Sequence, residues 1–433
     1  MPSVPPLSPL SALGGGRRLS AEALREEAEA FAATLQQVGG PVVLRLSQDP
    51  SSVSALLAAL WSGVDVALVS SLLGDDAARA AMERLSARAA LEVEPGRLAP
   101  LAEADAPPRA AGGTVALLTS GSTGEPRFAL HTWTSLRSAA RPRPALAGRR
   151  WLVAFPLAHM AGLQVFAQAL LTGGALVVPG DFSVEEGLAC LREHTPEHLN
   201  ATPTYVRQLL RGAPRGFFEG SSLRHVTLGG EIADQPLLDA IAKALPGARV
   251  THVYATTELG AAVSVSDGRE GFAAARLGDS LRVEGGELYV RRGEGAMRGY
   301  HTEHGAIEES AESEEWIATG DLVEVVGDRV CFRGRAGDVI NVGGSKVRPH
   351  VVEEVLRELP FVDDAVVRGK ASAVVGQIVE AVVRLRAGVD EEQARRELLA
   401  RCREALPPYA VPRALSFASE LPLTVTHKLR RAS

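Results

Sequence analysis

Short apolar runs alternate with longer Ala- and Leu-rich stretches through most of the chain. The runs at 41–46, 64–69 and 151–155 read as strands, and the stretches at 52–62 and 75–90 read as helices. Ser20 stands as the N-cap of a further helix, with Glu22 in its first turn and Gly39 and Gly40 closing it. The alternation continues through an apolar run at 175–178, the segment 204–210, a strand at 223–228, a helix at 235–245 and a strand at 249–254. Such alternation predicts parallel sheets covered by helices. Residues 1–18, rich in Pro and Gly, read as a loose leader.

From about 276 to 334 the pattern becomes short alternating strands with Gly turns, including 286–290 and 329–333, and predicts a small β-rich subdomain. After 334–337 the α/β character resumes. A helix is expected at 349–358, strands at 364–367 and 378–385, and a charged amphipathic helix at 390–405. The fold class is therefore α/β. A large N-terminal domain of helix-covered sheets spans 19–334 and a small α+β C-terminal domain spans 339–433, joined at 335–338.

A length of 433 residues suits two or three domains. Hydrophobic residues at 46% and charged residues at 23% exclude a disordered or fibrous chain. Forty-six Lys and Arg against fifty-two Asp and Glu give a net charge of −6, which argues against a general nucleic-acid binder. Cys190, Cys331 and Cys402 are odd in number and far apart, so neither a disulfide framework nor a zinc cluster is indicated, and a reducing cytoplasm fits. Residues 1–13 carry no positive charge ahead of an apolar core, and no apolar run reaches the roughly 18 residues of a membrane span. No membrane or nucleic-acid partner is expected. Oligomeric state is not readable from the pattern.

The strand at 115–118 runs into Thr119, Ser120, Gly121, Ser122, Thr123, Gly124, Glu125, Pro126 and Arg127. Gly121 and Gly124 let backbone N–H groups converge on an anion, the hydroxyls add donors, and Arg127 adds fixed positive charge. A polar surface turn is the bland alternative. The stretch is neither a Walker loop, which needs Lys-Ser or Lys-Thr after the glycines, nor a G-x-S-x-G elbow. Alone it points to phosphate without naming a chemistry.

Further segments follow in order. Pro156, Leu157, His159 and Gly162 form P-L-x-H-x-x-G, and Leu228, Gly229, Gly230 and Glu231 end a strand. Tyr254, Ala255, Thr256, Thr257 and Glu258 lie close to Y-G-x-T-E, and Thr319, Gly320 and Asp321 form T-G-D. A Gly-rich stretch covers 334–347, and Pro422, Thr424 and Lys428 follow P-x-T-x-x-G-K. Together, from about 115 to 428, these segments resemble the adenylate-forming superfamily of acyl- and aryl-CoA synthetases, peptide-synthetase adenylation domains and firefly-type luciferases. The short segment ahead of the phosphate loop is similar to that of o-succinylbenzoate–CoA ligases.

The resemblance implies ATP, Mg²⁺ and coenzyme A as reactants, and a small carboxylic acid as substrate. By it, Thr119 to Gly124 and Arg127 hold phosphates, while Gly230, Glu231, Tyr254, Ala255 and Thr256 line the nucleotide. Thr257 donates to the α-phosphate and Glu258 holds Mg²⁺, a carboxylate suited to that ion. Asp321 accepts the ribose hydroxyls and Arg335 also reaches the ribose. Lys428 bridges the acid and the α-phosphate as the acyl-adenylate forms. The C-terminal domain is then a mobile lid that turns about Gly337 before a thiol attacks. His159, Met160, Gly162, Leu163 and Gly229 wall the acyl pocket, mostly apolar or small, which suits an aromatic or medium aliphatic acid.

The sequence departs from the family at several points. Arg127 stands for the usual Lys, Phe128 and Ala255 for Gly, Gly337 for a hinge Asp or Lys, and His427 for the Gly before the lysine. No carrier domain follows Lys428, five residues from the end, so coenzyme A is the expected acceptor. A separate carrier protein or an amine acceptor is one alternative. A non-catalytic nucleotide- or acyl-adenylate-binding relative is another.

Overall fold

The computed structural model describes residues 10–14, 16–104, 112–119, 127–301, 307–309, 315–372 and 375–421. They divide into two units. Met1–Glu270 with Arg291–Trp316 form one, and Gly271–Val290 with Ile317–Ser433 form the other.

The first unit is built on two eight-stranded sheets. One runs, in spatial order, Gly260–Val265, Arg249–Thr256, His225–Gly229, His198–Ala201, Arg150–Val153, Ala175–Val177, Ser11–Gly14 and Arg17–Leu19. Its six inner strands are parallel and its two edge strands antiparallel. The other runs Ile307–Glu309, Gly299–His301, Arg127–Thr132, Thr114–Thr119, Val66–Ser70, Val42–Leu46, Ala89–Glu94 and Arg97–Glu103, with a parallel centre.

One apolar core joins the two sheets through helices. Leu44 and Leu68 of one sheet and Trp151 and Leu176 of the other share it with Phe31, Leu56, Leu163 and Phe166. The helix Ser51–Ser62 is buried from Ser51 to Ala59, which explains its lack of a polar face. Its serines are satisfied inside: Ser51 and Ser54 donate to Glu27, and Ser52 to the Ser47 carbonyl. Fully burying Leu56 contributes about 1.5–3 kcal/mol.

Three expectations need correction. The supposed leader is ordered where described. Ser11–Gly14 pairs in parallel with Ala175–Val177, and Leu10, Ala12 and Leu19 are buried. Gly14 allows this approach, since a Cβ there would meet the Val178 carbonyl oxygen. The helix expected at 75–90 stops at Arg84, where Ser86 turns at φ 49° and Ala89 enters a strand against Val42. Alanines served two elements, which hid the break. The β-rich subdomain also loses Gly299–His301 and Ile307–Glu309, which extend the larger sheet by pairing with Arg127–Thr132 and with each other.

The second unit contains a five-stranded sheet in the order Phe272–Ala273, Arg329–Arg335, Trp316–Val326, Glu287–Arg291 and Leu281–Glu284. It also holds a C-terminal sheet of Ser345–Val347, Ile340–Val342, Gly376–Leu385 and Val362–Ser372, with Ala414–Phe417 beside Gly376–Leu385. Helices Pro349–Arg357 and Glu391–Ala405 bury Val352, Leu356, Leu398 and Cys402 in the core of that sheet. No helix among the described residues is long and apolar enough to cross a membrane.

Candidate active site

Thr114–Thr119 and Arg127–Thr132 form an antiparallel pair in which Thr119 faces Arg127. Residues 120–126 therefore connect the two strands at the mouth of a hairpin. Its residues Ser120, Gly121, Ser122, Thr123 and Gly124 lie outside the described residues, as does Lys428. At the mouth, the Thr119 hydroxyl is buried and has no hydrogen-bond partner among the described residues. That is a polar atom suited to an incoming oxyanion.

The returning strand alternates by face. Phe128 and Leu130 enter a small apolar core, so Arg127, Ala129 and His131 share the opposite face. His131 is fully buried there, with Nε2 2.8 Å from the Thr257 carbonyl and Nδ1 3.0 Å from the Ser135 hydroxyl. A carbonyl can only accept, so Nε2 carries the proton. Burial pushes the imidazole down to about 4, against the opposing pull of the Thr257 carbonyl and Glu258. A neutral histidine thus ties the Thr114–Thr132 hairpin to the Thr257–Glu258 turn.

Tyr300 occupies the neighbouring strand, paired with Ala129. Its hydroxyl donates to the Glu258 carboxylate at 2.8 Å, and the Arg127 guanidinium lies 5.5 Å from its ring centroid. The Glu258 carbonyl also accepts from the Met297 amide at 2.8 Å. His131 and Tyr300 escaped the sequence reading because neither belongs to a quoted motif. The trace they leave is the period-two recurrence of Arg127, Ala129 and His131.

Tyr254, Ala255 and Thr256 close the strand Arg249–Thr256, with a bulge between Tyr254 and Ala255. The Thr256 hydroxyl accepts from the Leu259 amide at 3.1 Å, fixing the turn that presents Glu258. Gly229 ends the adjacent parallel strand, Gly230 follows at φ 83°, and Glu231 accepts from the Thr204 amide at 3.0 Å. Ligand crevices of open α/β sheets lie at such carboxyl strand ends.

The proposed pocket residues are more firmly packed than the sequence suggested. His159 takes the N-cap position of helix Met160–Thr172, while Met160 and Leu163 are buried in the core. Gly162 is required by contact, since a Cβ there would lie 2.4 Å from the Pro156 carbonyl oxygen.

In the second unit, buried Asp321 accepts from Arg335 Nε at 3.0 Å. Thr319 positions it by donating to the Leu288 carbonyl at 2.7 Å and accepting from the Asp321 amide at 3.1 Å. Gly337 lies in the 3₁₀ turn Ala336–Asp338.

The family model for AMP-binding enzyme matches 99–301, and that for AMP-binding enzyme C-terminal domain matches 351–428. The 2-succinylbenzoate–CoA ligase of Bacillus licheniformis is 30% identical over 338 residues, covering 73% of this chain and 68% of that protein. The chain belongs to the AMP-binding enzyme family.

Solved structures of CoA ligases share the fold. The anthranilate CoA ligase AuaEII in complex with anthranoyl-AMP superposes with TM-score 0.78 at 19% identity, covering 97% of this chain and 92% of that one. The o-succinylbenzoate coenzyme A synthetase of Bacillus subtilis, in complex with ATP and magnesium ion, gives 0.72 at 23%, covering 97% and 95%. These likenesses establish the helix-covered α/β fold. The chain is an adenylate-forming enzyme.

The donor set suits ATP with Mg²⁺. Glu258 offers a hard carboxylate, and no group of three or more His, Cys, Asp or Glu side chains among the described residues could hold a metal alone. Mg²⁺ bound through one carboxylate plus substrate phosphates is the usual arrangement in nucleotide sites.

Proposed function

We propose that the chain ligates an aryl or medium-length carboxylic acid to coenzyme A with ATP. The acid's carboxylate oxygen attacks the α-phosphorus, the α–β anhydride bond breaks and pyrophosphate leaves. The thiol of coenzyme A then attacks the acyl carbon and AMP leaves. The observation that carries this reading is the Glu258 carboxylate, held by Tyr300 beside Arg127 at the root of the phosphate loop.

Each residue has a defined task. Arg127 and the loop hydroxyls bind phosphate oxygens, and Glu258 holds Mg²⁺, which supplies charge neutralisation to an encounter of two anions. Thr257 donates to the α-phosphate. Tyr254 lies against adenine with Gly230, Glu231, Ala255 and Thr256 beside it. Asp321 and Arg335 hold the ribose, and Lys428 bridges the acid and the α-phosphate. His159, Met160, Gly162, Leu163 and Gly229 shape the acid's pocket. The C-terminal domain, from 339, turns about Gly337 between the half-reactions. Cys190, Cys331 and Cys402 are buried thiols that form no disulfide, which supports a cytoplasmic site of action.

The test is pyrophosphate release with ATP and Mg²⁺ over a panel of acids, each with and without coenzyme A. 2-Succinylbenzoate leads the panel because it is the acid named for the Bacillus licheniformis relative. Release joined by an acyl-CoA product is expected. Release without thioester would point to a carrier protein or amine acceptor. A Lys428→Ala protein should lose release yet still bind ATP, whereas a mere binding protein would be unchanged by it.

A further inference from the structure

Arg127 closes the Gly- and Ser-rich stretch, and the structure gives its side chain a partner. Tyr300 pairs with Ala129 across the sheet, so its ring lies on the face shared by Arg127 and His131. Ala129 is fully buried and small, which leaves room for an aromatic ring between two larger neighbours. The Arg127 guanidinium sits 5.5 Å from the ring centroid, within cation–π range. A planar guanidinium can stack on such a face in a way that an ammonium cannot. The other end of the same side chain, its hydroxyl, donates to Glu258 at 2.8 Å.

We infer that Tyr300 is a positioning residue that fixes Glu258 and Arg127 relative to each other. One side chain then sets metal recognition and phosphate recognition together. This rests on the assignment of Glu258 to Mg²⁺ and of Arg127 to phosphate. A carboxylate has two oxygens and about four acceptor sites, so Glu258 can keep the Tyr300 hydroxyl on one oxygen while offering the other to the metal. The hydroxyl removes the freedom of a glutamate to rotate away, and the ring removes that of an arginine. The structural alternative is that Tyr300 merely packs between strands.

The test is ATP binding by isothermal titration calorimetry to the full chain, without acid or coenzyme A, across a series of Mg²⁺ concentrations. Tyr300→Phe keeps the ring and loses the hydroxyl. It should raise the half-saturating Mg²⁺ concentration roughly tenfold and leave ATP affinity at saturating Mg²⁺ within about twofold. Tyr300→Leu loses both contacts and should also weaken binding at saturating Mg²⁺ by roughly fivefold. Arg127→Lys, the variant least disturbing to the fold, should reproduce that weakening while leaving the Mg²⁺ midpoint in place. A Tyr300→Phe protein with a lowered melting temperature and an unmoved Mg²⁺ midpoint would overturn the proposal in favour of packing. So would unaltered affinity in Arg127→Lys. Wild-type chain that binds no ATP at any Mg²⁺ concentration would bring down the functional reading together with this one. Binding by wild type with unshifted variants brings down this one alone.

Discussion

The Nε2 of His131 donates to the carbonyl of Thr257 at 2.8 Å, across 126 residues of sequence. The bond fixes the turn bearing Glu258 against the hairpin bearing the proposed phosphate loop. Replacing His131 with Leu strands a half-buried carbonyl and should cost about 1–3 kcal/mol in urea denaturation. Gln keeps a donor of similar reach, and His131→Gln should recover part of that loss. Equal destabilisation by both would show that ring packing matters and the hydrogen bond does not.

Acid should destabilise the first unit between about pH 6.5 and pH 4. Burial lowers His131, His198 and His225 each to about 4, with His225 also opposing protonation of His198, and Arg249 that of His225. An unfolded histidine takes its proton near 6.5, the folded ones only near 4, so the unfolded chain binds more protons in between. Stability therefore rises with pH across that window and levels above it. Melting temperature measured against pH would show this, and a flat profile from 4 to 6.5 would contradict it.

Gly162→Ala separates packing from pocket. A methyl group 2.4 Å from the Pro156 carbonyl oxygen must displace backbone, so a loss of about 1–3 kcal/mol is expected. Calorimetric unfolding would measure it. If the variant melts like wild type and only the acid preference changes, Gly162 lines the substrate and the contact is tolerant.

Asp321→Ala removes the buried acceptor of Arg335 together with the proposed ribose contact. ATP affinity at saturating Mg²⁺ should fall by roughly tenfold or more, the worth of a hydrogen bond to a charged group. Titration with ATP decides, and unchanged affinity would remove Asp321 from the nucleotide site.

The Thr257–Glu258 turn and the Thr319–Asp321 segment stand out in the sequence because their residues are contiguous. Parallel α/β architecture was legible from the alternation of strand and helix patterns, and Ser20 caps its helix through the Ala23 amide as expected. His131 and Tyr300 were not legible. Their roles depend on a strand register that brings Tyr300 beside Ala129 and on a contact between a strand and a turn far apart in sequence. The first strand was missed for a related reason. Four residues hold too little pattern to announce a strand, and its parallel partner begins 164 positions later, at Ala175.

That distance also orders events in time. A ribosome adding about 5–20 residues per second would expose Ser11–Gly14 for roughly 8–30 s before Ala175–Val177 is even synthesised. Until then its available sheet neighbour is the adjacent Arg17–Leu19, and an isolated two-stranded hairpin is marginal in water. The hairpin can join the parallel strands only once Ala175–Val177 has followed it off the ribosome.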